Sequence, residues 1–359
     1  MIAHLLLSNG MEFDGISVGA EGTAYGEICF NTSMAGYQEM LTDPSYSEQV
    51  IVMTYPEIGN YGINRYDFEN EKVFVKGMVM KNYCQNDSHY LSEMTLSDYL
   101  KKNSVIGISG IDTRQITTTI REAGTMSCLI TTDKITDEMR NKLAGWKMAK
   151  DVAKNASKNK IIHYSGNGVK FVVIDLGLKE SILKNLTNAD CDVTLLPWSA
   201  TSDEILSYNP DAVLFSNGPG NPEDATDAIT TIKELIGKVP IYGICLGYQI
   251  LAIALGAKTY KLKYGHRGGN HPIVNLMTNA VILTSQNHGY AVDETTLGEN
   301  TIPTYKNLND GTLEGFACPD LRIEAVQFHP EASPGPMDAS GIFKRWIEQT
   351  EGYKLCQKI

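Results

Sequence analysis

The sequence predicts two α/β domains: a strand-rich mixed domain over residues 1–149, and a doubly wound domain with a mostly parallel sheet over 169–359, with a linker at 150–168. Three observations carry this expectation. From Val169 onward, short apolar runs alternate with helical patterns, the signature of a parallel sheet covered on both faces. Before Trp146, dense valine and isoleucine runs outnumber helical patterns. Between them lie Ala153-Lys-Asn-Ala-Ser-Lys-Asn-Lys160 and Ser165-Gly-Asn-Gly168, polar stretches without an apolar period.

Composition narrows the class. A chain of 359 residues with 42% hydrophobic and 20% charged residues can bury two cores. Its 31 basic against 42 acidic residues leave a net charge of −11, which argues against nucleic acid or an anionic membrane as partner. No apolar run is long enough to span a bilayer and no leader pattern opens the chain. Seven cysteines, at 29, 84, 128, 191, 245, 318 and 356, are odd in number and scattered, so neither a disulfide framework nor a zinc site is expected. This points to a cytoplasmic protein with reduced thiols, six of them small buried hydrophobes.

In the first domain, Leu5–Leu7, a turn at Ser8-Asn9-Gly10 and the alternating Met11 and Phe13 predict a hairpin. Strands are expected at Gly26–Phe30, Gln49–Thr54 and Lys72–Met80. Thr95 and Asp112 are helix caps, the second for Thr113–Glu122 with Gly124 as the stop. The stretch from Asn31 to Ser47 is rich in hydroxyls and amides and reads as a surface loop. In the second domain, strands are expected at Val169–Asp175, Val193–Leu196, Ala212–Phe215 and Ile241–Ile244. Helices are expected at Glu180–Asn188, Ser202–Tyr208, Ala225–Leu235 and Tyr248–Leu255. After Lys263 the chain reads as β-rich, with a hairpin turn at Asn309-Asp310-Gly311 and a closing helix from Ala339 to Glu348.

The chemistry concentrates at Gly243-Ile-Cys245-Leu-Gly247. A strand turning into a helix through Gly-x-Cys-x-Gly is the sulfur form of a nucleophile elbow, with the thiol exposed at the top of the sheet. At a helix N-terminus the dipole favours thiolate. A nucleophilic thiol needs a base and the base an orienting acceptor. His329, in Val326-Gln-Phe-His329-Pro-Glu331, ends an alternating run and has Glu331 two residues on. Alone, His-Pro-Glu would be a turn with a solvent-facing ion pair; beside the elbow it reads as base and orienter. His288, in Gln286-Asn287-His288-Gly289-Tyr290, is the rival base. His266 and His271 match no metal spacing, and no metal is expected. Asn217-Gly218-Pro219-Gly220 is either a plain turn or an oxyanion hole, with Gly218 N–H and Leu246 N–H as donors. No phosphate-binding glycine loop occurs, so no conventional ATP site is expected in this chain.

With these residues in view, the C-terminal half resembles the class I (triad) glutamine amidotransferases, through Asn-Gly-Pro-Gly, Gly-Ile-Cys-Leu-Gly-Tyr-Gln and His-Pro-Glu. The first half is similar to the small-subunit family of carbamoyl phosphate synthetase. The similar stretches are Phe30 to Tyr46, Thr54-Tyr-Pro with Ile58-Gly-Asn, and Gly110-Ile-Asp-Thr-Arg; in the second half Gly265-His-Arg-Gly-Gly-Asn-His-Pro and Glu331-Ala-Ser-Pro-Gly-Pro extend the match. The resemblance implies glutamine hydrolysis at Cys245 through a γ-glutamyl thioester, with His329 as base and acid and Glu331 orienting it. It implies a glutamine site of Ser45, Gly218, Gly220, Leu246, Gln249, Asn287, Gly289 and Tyr290, which takes Ser45 out of the loop reading and completes the site from the first domain. It also implies no cofactor in this chain. The partner would be a large subunit, in a heterodimer or an oligomer of heterodimers, that takes ammonia, ATP, magnesium and bicarbonate and makes carbamoyl phosphate for arginine or pyrimidine synthesis. Asn221, Tyr248 and Tyr290 depart from residues common in the family, and none is a triad member. The alternatives are the glutaminase of another amidotransferase and an inactive docking subunit.

Overall fold

The computed structural model describes residues 1–356, Cys356 by its backbone alone. The chain divides into two compact units, Met1–Ala149 with Lys263–Arg267, and Lys150–Leu262 with Gly268–Ile359.

The first unit is built on β1 (Ile2–Leu7), β2 (Glu12–Ser17), β3 (Thr23–Asn31), β4 (Gln49–Met53), β5 (Glu57–Ile58), β6 (Gly77–Val79), β7 (Asn82–Tyr83), β8 (Ile106–Ser109) and β9 (Met126–Thr131). Seven of them close a barrel in the order β1-β2-β8-β6-β4-β3-β9, and β5 pairs with β7. The hairpin, the helix Thr113–Ala123 and its caps lie where the sequence puts them: Asp112 accepts from Gln115 N, and Gly124 ends the helix. The expected strand Lys72–Met80 shrinks to Gly77–Val79, because Phe74 N and Lys76 N are spent on Leu41 O and Gln49 O outside a ladder.

The surface-loop reading of Asn31–Ser47 is wrong. Tyr37–Thr42 is a short helix and Pro44–Tyr46 a 3-10 turn, and both are buried. Strand residues alternate between two apolar clusters. Ile28, Val50, Val52 and Val79 join one with Ile116 and Ile120; Cys29, Ile51, Met53, Met78 and Met80 join the other. Tyr37, Met40, Leu41 and Tyr46 complete the second cluster, at about 1.5–3 kcal/mol for each large apolar side chain buried. No side chain of the short helix caps its N-terminus, so the Tyr61 hydroxyl accepts from Gly36 N and Tyr37 N, with the Tyr61 ring stacked on Tyr37 at 4.0 Å.

The second unit holds β10 (Ile162–Tyr164), β11 (Lys170–Asp175), β12 (Asp192–Pro197), β13 (Ala212–Phe215), β14 (Ile241–Ile244), β15 (Thr259–Asn275), β16 (Val281–Val292), β17 (Ile302–Asn307), β18 (Leu313–Cys318) and β19 (Ile323–Val326). They form one sheet ordered β10-β12-β11-β13-β14-β19-β18-β17-β15-β16. The pairs from β12 through β11, β13 and β14 to β19 are parallel; the flanking pairs with β10 and β18 are antiparallel. Alternate residues again go to opposite faces. Val172, Ile174, Val213 and Phe215 pack with Ile229, Ile232 and Ile250, while Phe171, Val173, Leu195 and Leu214 pack with Ile182, Leu186 and Trp346. Both faces are covered, as a doubly wound sheet requires.

The stretch read as a linker has structure of its own. Val152–Ala156 is a helix and β10 extends the sheet edge, while Lys158 N donates to Asp175 and Lys158 Nζ pairs with Glu180 at 3.0 Å. The closing helix runs Gly341–Cys356, longer than expected, with Trp346 stacked on Tyr242 at 4.8 Å and Thr350 beside the Tyr242 hydroxyl. Among the described residues, no helix is long and apolar enough to cross a membrane.

Candidate active site

The central strand β14 ends at Ile244, and Cys245 alone separates it from the helix Leu246–Ala254. Cys245 carries φ 54° and ψ −100°, a strained backbone for a residue with a side chain, and the kind of strain stored at reactive turns. Its neighbours leave room only for glycine. A Cβ on Gly243 would sit 2.7 Å from the Gly247 backbone, and one on Gly247 would sit 2.1 Å from Phe215 O. The elbow is pinned on both sides: Cys245 N donates to Val326 O of β19, and Gly247 N to Ser216 O after β13. Cys245 Sγ lies 3.7 Å from the Asn287 carbonyl oxygen.

β19 runs parallel to β14, so its end delivers His329 to the same side of the sheet, beyond the carboxyl ends of the strands. His329 N donates to Ser285 O, which fixes the backbone there. Its Nδ1 meets Glu331 Oε1 at 2.6 Å, and both residues are buried. Nε2, the remaining ring nitrogen, has no closed hydrogen bond among the described residues. The Cys245 thiol nevertheless favours the protonated form of this imidazole.

Burial, the largest influence, works against charge on His329 and so does the Lys179 cation, but the Glu331 charge together with hydrogen bonding to Cys245 and Glu331 raises the imidazole to about 10. For Glu331, burial favours the neutral acid, yet Lys179 and His329 win and keep it a carboxylate well below the usual range. A histidine that favours its cation beside a thiol is set to take and keep the thiol's proton. Burial pushes the Cys29 and Cys191 thiols up to about 11, and raises Cys128 and Cys318 as well. Cys84 is only half-buried, against expectation, and the Cys356 side chain lies outside the described residues.

Lys179 is the member that sequence reasoning passed over. Its Nζ donates to Glu331 Oε1 at 3.0 Å and to Ala332 O at 2.6 Å, and it is 2% exposed. The turn after β11 aims it: Asp175 Oδ1 accepts from Gly177 N and Leu178 N, and Asn217 Oδ1 accepts from Lys179 N. A charge directly after Leu176-Gly-Leu178 was the available signal.

The remaining sequence-predicted residues fall as follows. Gly218 lies against Leu246, where an added Cβ would meet Leu246 Cδ2 at 2.8 Å and Leu176 O at 2.2 Å, and Gly220 has φ 98°. Gln249 Nε2 donates to Tyr290 O, and Asn287, Gly289 and Tyr290 follow one another on β16. His288 has Nδ1 at 2.7 Å from Tyr290 O and Nε2 at 3.1 Å from Gln286 Oε1, so both ring nitrogens face carbonyl oxygens. Ser45 belongs to the first unit, in the 3-10 turn, with its N–H on Asp43.

Both halves of the chain match known families. Residues 172–349 match the family glutamine amidotransferase class-I, which gives the class of the second unit. Residues 5–130 match carbamoyl-phosphate synthase small chain, CPSase domain. The carbamoyl phosphate synthase small chain of Clostridium acetobutylicum is 47% identical over 345 residues, covering 96% of this chain and 98% of that protein. That of Caldanaerobacter subterraneus is 45% identical over 358 residues, covering 99% and 98%. The carbamoyl phosphate synthase pyrimidine-specific small chain of Bacillus subtilis is 44% identical over 363 residues, covering 99% and 100%. The chain belongs to the family of carbamoyl phosphate synthase small chains.

Proposed function

We propose that this chain is the glutamine-hydrolysing subunit of a carbamoyl phosphate synthase, with Cys245, His329 and Glu331 as its triad. The observation that carries the reading is the buried 2.6 Å His329–Glu331 pair beside a strained thiol elbow. The Cys245 thiolate attacks the γ-carboxamide carbon of L-glutamine, and the tetrahedral oxyanion is met by the N–H groups of Gly218 and Leu246, each worth about 3–4 kcal/mol. The C–N bond breaks as His329 Nε2 gives its proton to the leaving nitrogen, which departs as ammonia. Water then attacks the γ-glutamyl thioester, His329 takes the water's proton and returns it to the sulfur, and glutamate leaves. Gly218, Gly220, Leu246, Gln249, Asn287, Gly289 and Tyr290 contact the glutamine; Ser45 enters the proposal from the family resemblance alone.

Ammonia that escapes to water becomes ammonium and is lost as a nucleophile, so the product is handed over without release. A large partner subunit, which binds ATP and magnesium, combines it with bicarbonate to make carbamoyl phosphate for pyrimidine or arginine synthesis, in the cytoplasm. This chain itself needs no cofactor for the hydrolysis described. The test is Cys245→Ser in the complex with the large subunit. Synthesis from glutamine is abolished and synthesis from added ammonia survives. Loss of both would show that Cys245 holds the assembly together, and undiminished synthesis from glutamine would remove it from the chemistry.

A further inference from the structure

Two buried glutamines meet behind the nucleophile. Gln249 stands one helical turn after Cys245, and Gln327 stands two residues before His329. Gln249 Nε2 donates to Tyr290 O at 2.9 Å and to Gln327 Oε1 at 3.0 Å. Gln327 is fully buried, with its backbone N–H on Glu314 O of β18.

The Tyr290 carbonyl decides which end of each amide is which. A backbone oxygen only accepts, so the NH2 of Gln249 has to face it, and Gln327 must then offer oxygen to the same NH2. Both hydrogens of Gln249 are thereby consumed. What Gln249 has left is Oε1, an acceptor engaged by no group among the described residues. Gln327 Nε2, by contrast, is sealed from solvent and has no partner among the described residues. Leaving a buried donor unpaired is unfavourable, so Gln327 is held in place for its oxygen alone.

We propose that Gln327 is a positioning residue that locks Gln249 with its side-chain oxygen toward the substrate, so that this part of the site accepts an N–H donor and rejects a carboxylate. The inference rests on the reading of Gln249 as a glutamine contact. Glutamine carries two such donors, its α-ammonium and its carboxamide. Without the Gln327 oxygen, the Gln249 amide is free to turn over and present NH2 instead.

A double-mutant cycle on the complex with the large subunit tests this, because a residue acting through another shows no effect once that other is gone. Gln327→Leu lowers kcat/KM for glutamine about tenfold, the scale of one neutral hydrogen bond, and mainly through KM. Gln249→Leu lowers it at least as far, and the double variant is no worse than Gln249→Leu alone. Multiplying losses in the double variant, or a Gln327→Leu enzyme within twofold of wild type, would overturn the proposal. The same cycle with glutaramate, which lacks the α-amino group, tells the two donors apart. No loss in Gln327→Leu assigns the oxygen to the ammonium, and an equal loss assigns it to the carboxamide; both sustain the locking role. Solvent exchange of the Gln249 side-chain amide in the wild-type complex reads the pairing without turnover. Slow exchange that speeds up in Gln327→Leu supports it, and fast exchange in wild type overturns it. A wild-type complex that hydrolyses no glutamine would defeat the glutaminase reading instead, while the exchange measurement would still decide the pairing.

Discussion

His329 and His288 are both buried histidines of the second unit, and each has Nδ1 held at a short distance, yet their surroundings differ in kind. His329 Nδ1 meets a carboxylate that is itself anchored by a buried lysine, and its Nε2 is left beside a thiol. His288 Nδ1 meets a backbone carbonyl, and its Nε2 meets the Gln286 side-chain oxygen. A carbonyl dipole orients an imidazole ring. A carboxylate orients it and also stabilises the cation that forms when the ring takes a proton. The difference teaches that the choice of base lies one bond beyond the histidine, in what its far nitrogen touches.

Removing His329, the base in the proposed reaction, should give the largest effect. His329→Asn lowers kcat for glutamine hydrolysis by about 10²–10⁴-fold, the usual range for a positioned acid–base group. Steady-state glutaminase assays on the complex check this, and a loss below tenfold would break the comparison by removing His329 from the chemistry.

Changing the partner rather than the base comes next. Glu331→Gln removes the strongest influence that raises His329 and leaves only the Cys245 hydrogen bond to oppose burial and Lys179, which both lower it. The imidazolium is then lost at lower pH, so the basic limb of the kcat/KM profile moves toward neutrality and kcat falls about 10²-fold. A basic limb that stays in place would show that Glu331 does not set the protonation of His329. Stability carries its own signs. Glu331 is depressed in the fold, so its contribution is present above the ordinary carboxylate range and fades as pH falls through the folded value. His329 is raised, so its contribution is complete below the ordinary imidazole range and fades as pH rises through the folded value. Wild type should therefore lose Tm faster than Glu331→Gln on the acid side. Glu331→Gln also starts lower, by roughly 3–5 kcal/mol, because Lys179 loses its counter-charge in a buried place.

The elbow was legible because its requirements are local: two glycines, a cysteine, a strand before and a helix after, all within a few residues of Cys245. His-Pro-Glu was legible for the same reason, with carboxylate and imidazole two residues apart. Lys179 was not, since its purpose depends on Glu331, 152 residues further on. The segment around Tyr37 was misread because its polar residues dominate by count. Yet Tyr37, Met40 and Leu41 fall at the i, i+3, i+4 spacing of a helix face, and all three are buried. Gln38 makes the same point about polar residues: it looks like surface, but its amide is paired with the Asn64 backbone on both ends. The barrel's closure was equally hidden, because pairing β1 with β9 joins residues more than a hundred apart and no local pattern records it.

The smallest effect sharpens the comparison most. His288→Asn removes a ring that braces the Tyr290 carbonyl, the same oxygen that takes a hydrogen from Gln249. If His288 is a strut, the variant loses about 0.5–1.5 kcal/mol of stability for each hydrogen bond removed and raises KM a few-fold, while kcat and the basic limb of the pH profile hold. If His288 is the base, kcat falls in the range expected for His329→Asn and the basic limb changes. Melting curves and pH profiles on the one variant separate the two, because a strut acts on Tyr290 and Gln286, whereas a base has to exchange a proton with Cys245.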